Sequence, residues 1–234
     1  MKFLFGKEAA VHGDALLISD LHLGMEGALF ERGVRSSEIS QRLAEKTLEV
    51  LGETGKNKLI ILGDIKERVV GIPREAREYI KEVGEHAEIT VVKGNHDGGI
   101  ERISGIEVVG HGGFAYRGLG IFHGHAWPSE EVMECDTIVM GHNHPQVKLQ
   151  GEWHPVWVEM KANQEKIRER YPECGEEKRL VLMPSFNPLL GTNIAGSSGL
   201  GPVLKNNLFK INTAIVYTLS GTKLGKLGEL FKRL

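Results

Sequence analysis

Three short apolar runs in the first hundred residues each end in a cluster of acidic, amide or imidazole side chains. The runs cover residues 15–19, 59–62 and 89–92, and the polar clusters follow at residues 20–22, 63–67 and 94–97. Runs of this length that are rich in Leu, Ile and Val are typical of buried strands. Open α/β sheets bind their ligands at the carboxyl ends of such strands. The repeated pattern therefore predicts a parallel sheet with a polar site along one edge.

Helical patterns separate these three runs. Residues 36–51 place Leu and Ile at helical spacing, and Ser36 or Ser37 is suited to cap the helix. A second helix is predicted to begin at Pro73 and to end near Gly84. The resulting order of strands and helices favours a parallel α/β sheet. A Gly-Asp turn before the first run predicts an additional hairpin there.

After residue 97 the apolar runs become shorter and lie closer together. Antiparallel strands are expected at residues 107–109, 114–116 and 119–122. The third of these leads into His123-Gly124-His125, and a further buried strand at 137–140 leads into Gly141-His142-Asn143-His144. Residues 147–149 and 156–160 predict an antiparallel pair, residues 161–179 a solvated loop, 184–202 a long ordered loop and 214–230 a final hairpin.

Composition and charge exclude several classes of protein. The 234 residues include 29 Lys and Arg against 31 Asp and Glu, so the net charge of −2 gives no strong field towards nucleic acid or membranes. The two cysteines, Cys135 and Cys174, lack a metal or redox spacing, which favours a reducing cytoplasm. No run reaches the ~18 apolar residues of a membrane helix, and the N-terminus lacks a signal-peptide pattern. We expect one cytoplasmic domain, 1–234, without a membrane partner; its oligomeric state stays open.

Histidines concentrate in the polar clusters that follow the predicted strands. Six of the ten histidines lie there: His22, His96, His123, His125, His142 and His144. Imidazole nitrogens combined with carboxylate and amide oxygens suit divalent Mn, Fe, Co, Ni or Zn. Residues two apart on a strand point the same way, so Asp-x-His or His-x-His can supply two ligands from one strand end. Five such clusters, each after an apolar run, together predict a dinuclear metal site. Two cations ~3.5–4 Å apart need a shared carboxylate to offset their repulsion, so a carboxylate is expected to bridge them.

The clusters together resemble the five motifs of the calcineurin-like metallophosphoesterases. The matching segments are Asp20-Leu21-His22, Gly63-Asp64, Gly94-Asn95-His96-Asp97, His123-Gly124 and Gly141-His142-Asn143-His144. This resemblance implies an α/β fold, a four-layer α/β/β/α sandwich with mixed sheets, and two divalent ions per chain. Mn²⁺ is expected first, with Fe, Ni, Co or Zn as alternatives. The N-terminal region and residues 183–191 resemble a narrower group, small phosphoesterases related to double-strand-break repair nucleases, of the DNA-ligase-associated type.

The resemblance also implies a role for each polar residue. The first cation would take Asp20, His22, Asp64 and His144, and the second would take Asp64, Asn95, His123 and His142. Asp64 would bridge the two ions. His96 would act as general acid or contact the phosphate, with Asp97 or Glu67 nearby to support it. His125 would touch the substrate or hydrogen-bond to a ligand.

These roles imply a phosphoester hydrolase, most simply a phosphodiesterase with a metal-bound hydroxide as the nucleophile. The substrate would be a phosphoester, including nucleotides or nucleic acid. One alternative is a nuclease that acts on DNA or RNA in repair, and another is a catalytically inactive, metal-stabilised binding protein. Met183 to Gly191 is expected to lie against the metal site or the substrate groove, or else to be a structural crossover stiffened by Pro184 and Pro188.

Overall fold

The computed structural model describes residues 1–33, 38–175, 177–194 and 199–230. The strands are β1 (Lys2–Phe3), β2 (Ala10–His12), β3 (Ala15–Ile18), β4 (Lys58–Ile61), β5 (Glu88–Val92), β6 (Ile106–Val109), β7 (Phe114–Tyr116), β8 (Leu119–Phe122), β9 (Thr137–Met140), β10 (Pro145–Leu149), β11 (Glu152–Lys161), β12 (Arg179–Leu182), β13 (Thr192–Asn193), β14 (Ile215–Thr218) and β15 (Lys223–Lys226). The α-helices are α1 (Met25–Glu31), α2 (Ile39–Thr54), α3 (Arg74–Gly84), α4 (Glu130–Glu134), α5 (Gln164–Arg170), α6 (Pro202–Lys205) and α7 (Leu227–Leu230). The proposed capping residues of α2, Ser36 and Ser37, lie outside the described residues.

The first sheet has the order β1-β2-β3-β4-β5-β6. Strands β3 to β6 are parallel, and β1 and β2 are antiparallel to their neighbours. The parallel arrangement of the three predicted runs and the hairpin before the first run are confirmed. The expectation of antiparallel pairing was wrong for β6, because this strand pairs in parallel with β5 and extends the first sheet.

The second sheet has the order β13-β10-β11-β12-β9-β8-β7, and β14 pairs with both β11 and β15. Its central strands β8, β9 and β12 are parallel to one another, whereas β7 and β11 are antiparallel to their neighbours. Both sheets are therefore mixed. The carboxyl ends of β8 and β9 lead into the two histidine clusters.

Three apolar clusters divide the molecule into four layers. One contains Leu43 and Tyr79 from the helices and Ile61 from the outer face of the first sheet. A second joins the facing sides of the two sheets, for example through Ile60 and Val139. The third packs the outer face of the second sheet against α4 to α7. This arrangement is the α/β/β/α sandwich that the family resemblance implies, and burial of these clusters is the main driving force for folding.

Several elements differ from the sequence expectations. Helix α5 lies within the predicted loop 161–179, and α7 replaces the end of the predicted final hairpin. The segment that forms α5 is strongly polar, and Ile167 is its one buried residue, so it gives almost no apolar periodicity. An ion pair one turn apart, Lys166–Glu169 at 2.8 Å, supports it instead. Among the described residues, no helix has the length and apolar character needed to span a membrane.

Candidate metal centre

The carboxyl ends of β3, β4, β5, β8 and β9 meet at one edge between the two sheets. Three groups of side chains there bring potential metal ligand atoms within 4.8 Å of one another. The groups are Asp20 with His22 and His144, Asp64 with His123 and His142, and His22 with Glu67 and His96. The five separate sequence clusters therefore converge in space, as predicted.

Two buried carboxylates lie at the middle of this convergence. Asp20 is fully buried and Asp64 is 2 % exposed. The Nε2 atom of His123 lies 3.2 Å from Asp20 Oδ1 and 3.4 Å from Asp64 Oδ2. Asp64 Oδ2 also lies 3.5 Å from Nε2 of His22, so a single carboxylate oxygen stands between imidazoles of two different groups. This is the position that a bridging ligand requires.

Burial and mutual attraction act in opposite directions on these titrating groups. Burial alone would raise the pKa of Asp20, but the neighbouring His144 and His123 hold that pKa well below its usual range. Burial alone would lower the pKa of His123, yet its hydrogen bonds to Asp20 and Asp64 raise this pKa to about 10. The cluster thus keeps two carboxylates ionised, and a positive charge between them is stabilised. A metal cation and the protons on the histidines would compete for this position between the carboxylates.

The Nδ1 atom of His22 lies 2.7 Å from the Glu67 carboxylate. Because a carboxylate oxygen accepts, Nδ1 carries a proton, so Nε2 is the nitrogen whose lone pair could bind a cation. That Nε2 atom is buried and has no hydrogen-bond partner, and the same holds for Nε2 of His144. His144 Nε2 lies 3.0 Å from Asp20 Oδ1, but outside hydrogen-bonding geometry. Two buried imidazole nitrogens that face carboxylates without donating to them fit metal coordination.

The backbone at the site is held in an unusual conformation. Five of the proposed ligands adopt positive φ angles, at 56° for Asp20, 49° for His22, 49° for Asp64, 64° for His142 and 41° for His144. This left-handed region is uncommon for residues other than glycine, and such strain concentrates at functional sites. Sequence patterns gave no signal for it beyond the residue types, since Asp and His tolerate this region better than most.

Glycines beside the ligands allow the strand ends to approach closely. A Cβ atom on Gly94 would lie 2.1 Å from Oδ1 of Asp64, and one on Gly141 would lie 1.9 Å from Oγ of Ser19. Both contacts are far inside van der Waals distance, so any side chain there would displace the Asp20 or Asp64 segment. The glycines of the Gly-Asn-His-Asp and Gly-His-Asn-His motifs are therefore needed for close approach.

Outside the carboxylates, the histidines of the second sheet face one another. Nδ1 of His123 lies 2.9 Å from Nδ1 of His125. Burial and the positive charge of His123 lower the pKa of His125 and of His142 to about 4. A neutral His125 can accept a hydrogen bond from the Nδ1–H group of His123. The structure thus places His125 behind His123, where it can fix the tautomer that exposes His123 Nε2 to the centre.

The two central residues of the Gly-Asn-His-Asp motif lie at the edge of the centre. Asn95 is solvent-exposed, and His96 is partly buried with its ring centroid 4.8 Å from that of His22. The Nδ1 atom of His96 hydrogen-bonds to the main-chain oxygen of Glu67. The carboxylate of Glu67 reaches His22 instead. Glu67 therefore contacts His96 through its main chain and His22 through its side chain.

Asp97 and Lys66 hold the surrounding loops together. Asp97 is fully buried and accepts hydrogen bonds from the main-chain N–H groups of Ile65, at 3.0 Å, and Gly94, at 2.8 Å. Burial raises the pKa of Asp97. Lys66, also fully buried, donates to the main-chain oxygens of His96, at 2.5 Å, and of residues 68 and 69. These bonds tie the loop after β4 to the loop after β5. No sequence motif marks Lys66, because its partners are main-chain carbonyls.

The segment from Met183 to Gly191 passes directly beside the Asp20 backbone. Ser185 Oγ donates to Asp20 O at 2.9 Å, and Asn187 Nδ2 donates to Leu21 O at 2.9 Å. The Phe186 N–H donates to the main-chain oxygen of the residue before Asp20, at 2.8 Å. The Phe186 ring is fully buried in the core of the first sheet. This part of the loop therefore packs in the core and supports the end of β3, which carries the proposed ligands.

Comparison with known proteins agrees with this geometry. Residues 15–146, which contain every proposed ligand, match the sequence family of the calcineurin-like phosphoesterases. The crystal structure of the nuclease MPE from Pseudomonas putida is similar with a TM-score of 0.58 and 19 % identity, over 88 % of this chain and 85 % of that one. YfcE, a phosphoesterase from E. coli, is similar with a TM-score of 0.43 and 17 % identity, over 91 % of this chain and 97 % of that one. No curated protein sequence gives a significant match.

The family match spans more than half of the chain and covers both halves of the metal-ligand cluster. The fold is shared with a nuclease of known structure. The matched segment holds the buried carboxylates and the unpartnered imidazole nitrogens of the cluster. The chain belongs to the calcineurin-like phosphoesterases and is a hydrolase of phosphoester bonds.

Proposed function

We propose that the protein is a phosphodiesterase that works with two divalent cations, Mn²⁺ first among them. The observation that carries this proposal is the position of Asp64 Oδ2, 3.5 Å from His22 Nε2 and 3.4 Å from His123 Nε2. One cation would be held by the Asp20 group and Asp64, and the other by the His123 group and Asp64. Asn95 would complete the second set with its amide oxygen. The mixed oxygen and nitrogen donors suit Mn, Fe, Co, Ni or Zn.

When bound, two such cations polarise phosphoryl oxygens and lower the pKa of a water molecule that attacks phosphorus. The residues of the chain supply position and charge. Asp20 and Asp64 are ionised and fixed by main-chain N–H groups, from His142 at 3.1 Å and from His96 at 2.8 Å. Preorganised groups of this kind need no rearrangement during the reaction.

His96 is the proposed general acid for the leaving oxygen. Its Nδ1 atom faces a main-chain carbonyl, which can only accept, so this nitrogen carries a proton that it keeps. The proton available for donation is therefore the one on Nε2. Proton transfer from a positioned imidazole to the leaving alkoxide typically contributes ~10²–10⁴-fold in rate.

Glu67, Asp97 and His125 act through other residues in this proposal. Glu67 fixes the tautomer of His22, and His125 does the same for His123. Asp97 holds the backbone of its own loop and of the loop after β4. The sequence-based assignment of Glu67 and Asp97 beside His96 is thereby refined to positioning roles.

A nuclease is the second candidate function, because a structure with this fold is that of a nuclease. Hydrolysis of a phosphodiester in a nucleic-acid strand uses the same groups as hydrolysis of a small diester. The two candidates therefore differ in what lies around the centre and not in the centre itself.

The test is hydrolysis of bis-p-nitrophenyl phosphate by chelator-treated protein to which Mn²⁺ is returned. We expect turnover that depends on the metal and is lost in Asp64→Asn, and weaker activity on p-nitrophenyl phosphate, a monoester. A screen of oligonucleotides, cyclic nucleotides and nucleotide diesters with the same preparation would identify the substrate class. Two bound ions without turnover on any diester would instead establish the metal-stabilised binding protein.

A further inference from the structure

A groove of about 440 Å³ lies between the β10–β11 hairpin and the end of the loop that supports Asp20. Its volume falls within the range of small-molecule and nucleotide sites. The groove is lined by Gln146, Trp153, Pro188, Leu189, Gly191 and Asn193. Apolar and amide side chains therefore surround one large aromatic ring.

Trp153 differs from the other two tryptophans in its exposure. Its side chain is 47 % exposed, whereas Trp157 is fully buried and stacks on Phe3 with ring centroids 4.1 Å apart. Trp127 is partly covered by Arg170, whose guanidinium carbon lies 3.6 Å from the ring centroid. Trp153 thus offers an aromatic face to a ligand, with Leu189, 57 % exposed, across the groove.

A cation accompanies the exposed ring. Lys148 is the cross-strand partner of Trp153, and its Nζ atom lies 6.0 Å from the ring centroid. Cross-strand partners project from the same face of a sheet, so both side chains border the same space. An aromatic face beside a lysine is the combination that binds one base and an adjacent phosphate of a nucleic-acid strand.

The groove begins two residues from His144, a proposed metal ligand. Strand β10 begins directly after His144, and Gln146 on its second position lines the groove. Thr192 N donates to His144 O at 2.8 Å, which joins the far wall of the groove to the same ligand. At ~3.4 Å per residue, Lys148 lies roughly 13 Å along the strand from His144. We therefore expect a strand bound at the proposed metal centre to reach Trp153 within a few nucleotides.

We propose that this groove binds a nucleobase of a single-stranded nucleic acid, with Trp153 as the stacking platform and Lys148 as a phosphate contact. The inference rests on the proposed function and assigns its substrate class. Stacking is tolerant of sequence because every base has a π-face, and it does not need the strong overall positive charge that this chain lacks. The exposed apolar area, which is one aromatic ring, one leucine and one proline, is too small for a stable protein interface.

The first arm of the test measures binding without turnover. A fluorescent single-stranded oligothymidylate is titrated with the full-length protein in chelator, and anisotropy is recorded. We expect Trp153→Ala to weaken binding about tenfold or more and Trp153→Phe to stay close to wild type. Phe5→Ala, which removes another exposed aromatic ring that does not line the groove, is the matched control and should bind normally. A strand of equal length with abasic sites should bind wild type as weakly as Trp153→Ala binds the normal strand.

The second arm separates this inference from the proposed function. With Mn²⁺-loaded enzyme, Trp153→Ala should lower the ratio of kcat/KM on the oligonucleotide to kcat/KM on bis-p-nitrophenyl phosphate about tenfold. Lys148→Ala should reduce the slope of log affinity against log salt by about 1, whereas Lys81→Ala should not. Equal binding by Trp153→Ala and wild type, or by abasic and normal strands, overturns the groove assignment. Absence of hydrolysis on both substrates overturns the proposed function, while the binding arm still decides the groove.

Discussion

The two sheets contribute chemically different halves to the candidate metal centre. The first sheet supplies both buried carboxylates, Asp20 and Asp64, whereas the ends of β8 and β9 supply only imidazoles. His123, which faces the carboxylates, has its pKa raised to about 10, while burial and the charge of His123 lower the pKa of His125 to about 4. The imidazole half is therefore self-repelling when protonated. We therefore expect its affinity for cations to depend on the carboxylates of the other half.

The acidic half also organises the imidazole half through the backbone. The main-chain N–H of His142 donates to Asp20, at 3.1 Å from Oδ2 and 3.2 Å from Oδ1. A bond from the second sheet's loop to the first sheet's carboxylate fixes the distance between the halves. Loss of a carboxylate should therefore damage both metal positions, whereas loss of a supporting residue should damage one. The following substitutions are ordered by their expected effect on turnover.

Asp64→Asn is expected to have the largest effect. The amide keeps the size of the side chain but removes the negative charge that two neighbouring cations need. Turnover on bis-p-nitrophenyl phosphate should become undetectable, and metal analysis should show less than one ion per chain. Added Mn²⁺ should raise the Tm of wild type, because a ligand that binds the folded state stabilises it, and should not raise that of the variant. The control is Asp136→Asn, an exposed position. Two ions with normal turnover in Asp64→Asn would contradict the bridging role.

His96→Ala should come second, with a loss of ~10²–10⁴-fold in turnover. Its imidazole lies beside His22 but is expected to donate a proton without binding a metal, so the variant should keep two ions per chain. The loss should be smaller for p-nitrophenyl diesters than for alkyl diesters, because p-nitrophenolate leaves without protonation. His86→Ala, at an exposed histidine, is the control. Loss of an ion, or equal slowing of both substrates, would place His96 among the ligands or the substrate contacts.

Glu67→Gln should have a smaller effect that is confined to the first cation. Its carboxylate accepts from His22 Nδ1 at 2.7 Å, and loss of such a partner typically costs ~10–100-fold in metal affinity. Chelator competition should show weaker binding of one ion per chain, and excess Mn²⁺ should restore turnover. Glu78→Gln on the exposed side of α3 is the control. Normal metal affinity combined with slow turnover would instead support the sequence-based link between Glu67 and His96.

The polar clusters were predictable because their residue types and their place after apolar runs are local properties. For example, residues 59–62 predict a strand, and the Gly63-Asp64 that follows predicts a metal ligand at the end of that strand. Which residues and strands pair with one another could not be predicted from local sequence. The Glu67 carboxylate pairs with His22 and not with the His96 imidazole, and this depends on how two loops cross. The parallel pairing of β6 with β5 depends on the path of the chain between the two strands. Helix α5 was missed because its sequence is polar on nearly all sides.

Phe186→Ala should have the smallest effect on turnover and a large effect on stability. The sequence predicts either a part of the substrate groove or a structural crossover for residues 183–191, and the structure buries one part of this segment and exposes another. Phe186 is fully buried, packs in the core of the first sheet and lies with its ring centroid 4.0 Å from Lys46 Nζ. Leu189, three residues later, is 57 % exposed and lines the groove.

Removing a buried phenylalanine costs ~3–5 kcal/mol, which for a chain of this length corresponds to a fall in Tm of roughly 10 °C. At temperatures at which the variant is folded, kcat and KM on bis-p-nitrophenyl phosphate should stay close to wild type. The reason is that the cavity would lie in the core, behind the Asp20 backbone. Leu189→Ala is the matched control, since it removes a side chain of similar character from the same loop without opening a buried cavity, and its Tm should not change. A Phe186→Ala protein that melts like wild type but binds the diester more weakly would reverse the assignment and make this half of the loop part of the groove. Because the main-chain bond from Phe186 to Ser19 survives the substitution, a loss of metal in this variant would show that the ring, and not the backbone, holds the end of β3 in place.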